Sequence, residues 1–121
     1  MDLSVQIETR GTWAVASVYG DVDVATAPRL REQLVSLVTS GQTQVILDLD
    51  GVGFMDSTGL GVVIGILKRA RTHGGDLRLV ATRSNLVSLF ELTGLDRTLP
   101  LAKSVDAALA DAGAGAGAAT E

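Results

Sequence analysis

The sequence predicts an α/β fold: a mixed, mostly parallel sheet of four or five strands that opens with a β-hairpin and carries about four helices. Three observations predict it. Two runs of alternating apolar and polar residues open the chain with a turn signal between them. Short apolar runs then alternate with segments of helical periodicity. Glycines punctuate the junctions.

In the first run Leu3, Val5 and Ile7 alternate with Ser4, Gln6 and Glu8, the period of a half-buried strand. Arg10-Gly11-Thr12 is a turn, and Trp13 to Tyr19 reads as the strand that pairs back, ended by Gly20. Asp21-Val22-Asp23-Val24 leads into a helix that starts at Ala25 or Thr26. Pro28 falls in its first turn, where a missing N–H costs nothing. Leu30, Leu34, Leu37 and Val38 supply the helical spacing, and Gly41 ends it. Val45-Ile46-Leu47 sits in a central strand from Gln44 to Leu49, which Asp50-Gly51 closes. Val52 to Asp56 is a brief extended link. A helix follows from about Ser57 to His73, stopped by Gly74-Gly75, and then a strand from Asp76 to Ala81. Asn85 to Thr93 is helical and closed by Gly94. Leu99-Pro100-Leu101 is an edge strand, where proline is tolerated. Ser104 caps a last helix to about Ala110. One domain thus spans 1–110, and the Ala/Gly-rich segment 111–121 is expected to be a disordered tail.

Composition excludes several functions. The net charge of −4 argues against sequence-independent nucleic-acid binding, which needs clustered Lys and Arg. The chain has no cysteine and one histidine, so disulfides, thiolate chemistry and multi-His or Cys-rich metal sites are ruled out. No cofactor is expected. Met1-Asp2-Leu3-Ser4 has no basic or apolar signal-peptide character, and no apolar run approaches membrane-span length, so a cytoplasmic location is the expectation.

The candidate site is Phe54-Met55-Asp56-Ser57-Thr58-Gly59-Leu60-Gly61. On a helical wheel starting at Ser57, Leu60, Val63, Ile64 and Leu67 form a core stripe. Thr58, Gly61, Val62, Gly65 and Arg69 fall on the opposite side. Glycine costs a helix interior about 1 kcal/mol relative to alanine, so two glycines and an exposed valine there suggest a surface that a partner packs against closely. The glycines could instead let the helix approach its own sheet or a neighbouring helix. Ser57 stands in the N-cap region and could serve as the cap, or Asp56 could cap and leave the Ser57 hydroxyl free. A phosphate on Ser57 would lie at the positive end of the helix dipole, so the domain would stay folded while its surface gained bulk and negative charge.

The string from Phe54 to Gly61 resembles the phosphorylation-site signature of bacterial anti-sigma factor antagonists, single-domain proteins of the STAS class. Gly20-Asp21-Val22-Asp23 with Ala27-Pro28-Arg29-Leu30 is similar to the family's acidic turn and first helix. Leu47-Asp48-Leu49 with Val52, Gly74-Gly75 with Leu77-Leu79-Val80, and Leu89-Phe90 with Thr93-Gly94-Leu95 follow in the family's order. The chain looks particularly similar to the actinobacterial developmental and stress-response type. The resemblance implies partner switching. The unphosphorylated protein binds an anti-sigma factor that is also a serine kinase, and so frees a sigma factor. The kinase phosphorylates it with ATP and the complex parts, and a serine phosphatase restores it. Carried over, Ser57 is the phosphoacceptor, Asp23 lies in the loop beside it, Asp56 precedes it, and Thr58 stands where many relatives have serine and is a minor alternative acceptor. Asp21, Gly59, Gly61, Val62, Gly65 and Arg69 are expected at the partner interface, and the chain itself as a monomer or weak dimer.

Rival readings are weaker. A nucleophile elbow needs a glycine where Met55 stands. His73 is sixteen residues further along the same helix, roughly 24 Å from Ser57, beyond the reach of a general base. An aspartate-phosphorylated receiver built on Asp21, Asp23, Asp48, Asp50 and Asp56 lacks the acidic pair after the first strand and the lysine at a late strand end. Lys68, Arg69 and Arg71 offset the dipole at the end of their helix. There is no Walker-type glycine loop, so ATP is expected on the partner kinase. A non-switching scaffold or lipid-transport accessory of the same fold is the alternative.

Overall fold

A computed structural model describes residues 3–110. The sheet has five strands: β1 (Ser4–Arg10), β2 (Trp13–Val22), β3 (Gln44–Met55), β4 (Asp76–Val80) and β5 (Leu101–Ala102), in the spatial order β1-β2-β3-β4-β5. Between them run α1 (Ala27–Thr39), α2 (Ser57–Thr72), α3 (Ser84–Thr93) and the one-turn α4 (Leu95–Thr98). A further helical stretch, α5, covers 105–110. The hairpin pairs β1 and β2 antiparallel, and every later neighbour is parallel. Parallel crossovers are right-handed, and here each steps to the next strand in the same direction, so their helices fall on one face.

That face holds the main core. Val18, Leu47, Leu49, Leu77 and Leu79 of the sheet meet Leu30 and Leu34 of α1, Val63 and Ile66 of α2, and Leu86 and Phe90 of α3. The opposite face holds a smaller cluster of Val15, Ile46, Val80 and Ala102 under Ala108 of α5. Ser104 caps this last helix, its Oγ accepting from Ala107 N at 3.0 Å.

Three local features differ from the sequence expectation. Strand β3 does not stop at Leu49 but runs on to Met55, taking in most of the expected link. Two register shifts against β2, between Ser17 and Tyr19 and between Gly20 and Asp21, let the strand continue past Asp50-Gly51. Gly51 serves that irregularity and not a turn, because a Cβ there would lie 2.6 Å from Val18 O and 2.5 Å from Tyr19 Cδ1. The turn α4 was not foreseen: Gly94 closes α3 at φ +75°, and the chain coils once more before β5. The edge strand begins after Pro100, at Leu101, where the proline's missing N–H removes no ladder bond. Segment 111–121, expected to be a tail, lies outside the described residues.

Candidate functional site

Strands β2 and β3 are parallel and end side by side, with Val22 opposite Met55 and Asp21 opposite Phe54. The loops that follow them are therefore neighbours, and Asp56 N donates to Val22 O at 3.2 Å across the gap. After β2 the chain must turn at once into α1. Asp23 Oδ1 accepts from Ala25 N at 2.9 Å and from Thr26 N at 3.1 Å. Buried Thr26 accepts from Asp23 N at 3.0 Å and donates to Asp21 O at 2.7 Å. Asp21 and Asp23 are half-buried, and both belong to this knot at the foot of α1.

After β3, Asp56 is the N-cap of α2. It has extended backbone, and its Oδ1 accepts from Thr58 N at 2.9 Å and Gly59 N at 3.2 Å. The capping alternative left open by the sequence is thus decided for Asp56. Ser57 becomes the first helical residue, exposed, with its hydroxyl outside the cap. Thr58 is exposed beside it. A group attached to Ser57 Oγ would face solvent at the positive end of the helix dipole, where Asp56 already takes the N–H groups of Thr58 and Gly59.

The outer face of α2 needs two corrections. Gly59 is buried, and a Cβ on it would lie 2.7 Å from both Met55 Cγ and Val22 Cγ1. Its smallness lets the first turn of α2 close onto the ends of β2 and β3, so it is not a surface residue. Val62, expected to be exposed, is 7% exposed and belongs to the core. The wheel underestimated the buried arc because α2 packs against α1 as well as against the sheet. Val62 and Ile66 turn toward α1, while Ile64, assigned to the stripe, is only half-buried. Gly61 and Gly65 are exposed, and a Cβ on either would meet nothing within 4 Å. Among the described residues nothing packs closely against either. Arg69 is half-buried two turns beyond Gly61.

Two exposed apolar residues border the site, Phe54 within the signature string and Val24 outside it. Val24, in the loop after β2, is 71% exposed, and Phe54, at the end of β3, is 49% exposed. Both are apolar side chains in water next to the capped start of α2. The available signal was Phe54 beside inward-facing Met55, which requires Phe54 to point out. Among the described residues, no group of three or more His, Cys, Asp or Glu side chains could hold a metal ion, and no helix is long and apolar enough to cross a membrane.

The STAS domain family matches residues 4–108. An anti-sigma-B factor antagonist of Bacillus subtilis (strain 168) is 38% identical over 95 residues, covering 78% of this chain and 86% of that protein. An anti-sigma-B factor antagonist of Staphylococcus aureus (strain NCTC 8325 / PS 47) is 34% identical over 95 residues, covering 78% of this chain and 88% of its own. Among solved structures, an anti-sigma factor antagonist from Mycobacterium paratuberculosis superposes with a TM-score of 0.84 at 29% identity, over 91% of this chain and 93% of that one.

Proposed function

The chain belongs to the STAS domain family, and from that premise we propose that it is a cytoplasmic anti-sigma factor antagonist switched by phosphorylation of Ser57. The unphosphorylated form binds an anti-sigma factor that is also a serine kinase, which frees a sigma factor. The kinase then moves the γ-phosphoryl group of ATP onto Ser57 Oγ, the hydroxyl proton leaves to a base on the kinase, and the complex separates. A serine phosphatase reverses the step.

The observation that carries this reading is the division of labour at the start of α2. Asp56 does the capping, so Ser57 is exposed and its hydroxyl is available. Modification there costs the fold no hydrogen bond of the cap. Thr58 beside Ser57 and Gly61 one turn further along α2 are exposed as well, so a new phosphate falls on an exposed stretch of the helix. Added charge of roughly −1.5 to −2 in a desolvated contact is disruptive. A hundredfold loss of affinity requires only about 2.8 kcal/mol.

The test is direct. The protein is incubated with its cognate anti-sigma kinase and ATP, and the product is mapped by mass spectrometry. One phosphate on Ser57 is expected. Modification at Thr58 alone, elsewhere, or nowhere would overturn the assignment.

A further inference from the structure

Although the chain carries a net charge of −4, its α1–α2 surface is cationic. Helix α2 contains Lys68, Arg69 and Arg71 and no Asp or Glu. Arg71 is held by Asp76 at 3.1 Å. Among the described residues, Arg31 of α1 and Lys68 and Arg69 of α2 have no carboxylate within ion-pair distance. Arg31 and Arg69 line one cleft of about 130 Å³ between the two helices, with Gly61 and Gly65 in its wall and Val62 and Ile66 beneath. A second, shallower depression of about 280 Å³ continues from it past Lys68 and His73. The helix pair thus presents a small groove walled by Gly61 and Gly65, with Val62 and Ile66 almost wholly buried under it and cationic sides unpaired among the described residues. It opens one helical turn, about 6 Å, beyond Ser57.

We propose that this groove docks an acidic segment of the anti-sigma factor, with carboxylates at Arg31 and Arg69 and apolar side chains over Gly61 and Gly65. This rests on the antagonist reading and names the chemistry its partner must bring. Charge complementarity selects the occupant: carboxylates on a partner supply the counter-charges that no described residue offers to Arg31, Lys68 and Arg69. It also explains how the switch acts. An acidic segment approaching along α2 meets a dianionic phosphate at the helix start, so like charges repel at the end of the groove nearest Ser57.

Two measurements test it. First, poly-L-glutamate is titrated into the isotopically labelled protein and amide shifts are followed. Shifts are expected at Arg31, Gly61, Gly65, Lys68 and Arg69, and they should vanish in the Arg31→Glu/Arg69→Glu double variant. Shifts spread over other surfaces, or a DNA duplex producing the same shifts at lower concentration, would overturn the assignment. Second, affinity for the kinase that phosphorylates Ser57 is measured against ionic strength. The Glu variant should bind about tenfold or more weakly with a flatter salt dependence, while Arg31→Lys/Arg69→Lys stays within about threefold of the parent. Equal affinities for parent and Glu variant, or equal losses in the Glu and Lys variants, would overturn it. Unchanged thermal unfolding confirms that each variant folds. If the kinase binds neither the parent nor any variant, the antagonist reading fails, and the poly-L-glutamate titration still decides the charge assignment.

Discussion

The glycines of α2 have opposite roles, and substitution separates them. Gly59 is enclosed by Met55 and Val22, so Gly59→Ala forces the helix off the strand ends. It should cost about 1–3 kcal/mol in chemical denaturation, the usual range for overpacking. Gly61 and Gly65 face open space, so alanine there should raise stability by up to about 1 kcal/mol through helix propensity. The same two substitutions should weaken kinase binding, because the added methyl stands in the groove. A Gly61→Ala protein that is more stable and binds unchanged would remove Gly61 from the partner surface. Asp56→Ala deletes the cap and should cost about 1 kcal/mol by the same denaturation measurement.

At the level of elements, the helices and the hairpin were legible because their signals are local. Alternation marked Leu3 to Ile7, and Gly41, Gly74 and Gly94 marked helix ends. Strand β3 was misjudged because its continuation past Asp50-Gly51 depends on β2, through bulges that no short window can reveal. The burial of Val62 was missed for a related reason: a wheel assumes one buried face, and α2 has two neighbours. Asp50 itself does not end the strand. Its Oδ1 accepts from Thr82 N at 2.8 Å and Thr82 Oγ1 at 3.0 Å, and its backbone O accepts from Arg83 Nε at 2.9 Å. Asn85 Nδ2 donates to Gly53 O at 3.0 Å. The start of α3 is thereby tied to the stretch of β3 just before the site. Asp50→Ala should cost about 1 kcal/mol and speed hydrogen exchange at the Thr82 amide, with little change at Leu79 in the core.

For the whole molecule, the one-directional strand order places the ends of β2 and β3 together at one rim, with the acidic knot, the capped helix start and the exposed Phe54 and Val24 around it. Sequence identified the serine and its acidic neighbours. The assembly around them came from pairing, since the Asp23 loop and the start of α2 are far apart in the chain and are brought side by side by the register of Val22 with Met55 and the Asp56 N–Val22 O bond. The switch proposed for Ser57 then needs no rearrangement of the core: a phosphate there would be added outside the cap, on a surface, where the helix dipole tolerates it. The most direct measurement is the affinity of the anti-sigma kinase, held in a non-hydrolysable nucleotide state, for the unphosphorylated and Ser57-phosphorylated protein, with circular dichroism on both forms. The account predicts at least about a hundredfold weaker binding after phosphorylation, with unchanged spectra and thermal unfolding. Equal affinities, or a loss of binding accompanied by loss of folded structure, would contradict it.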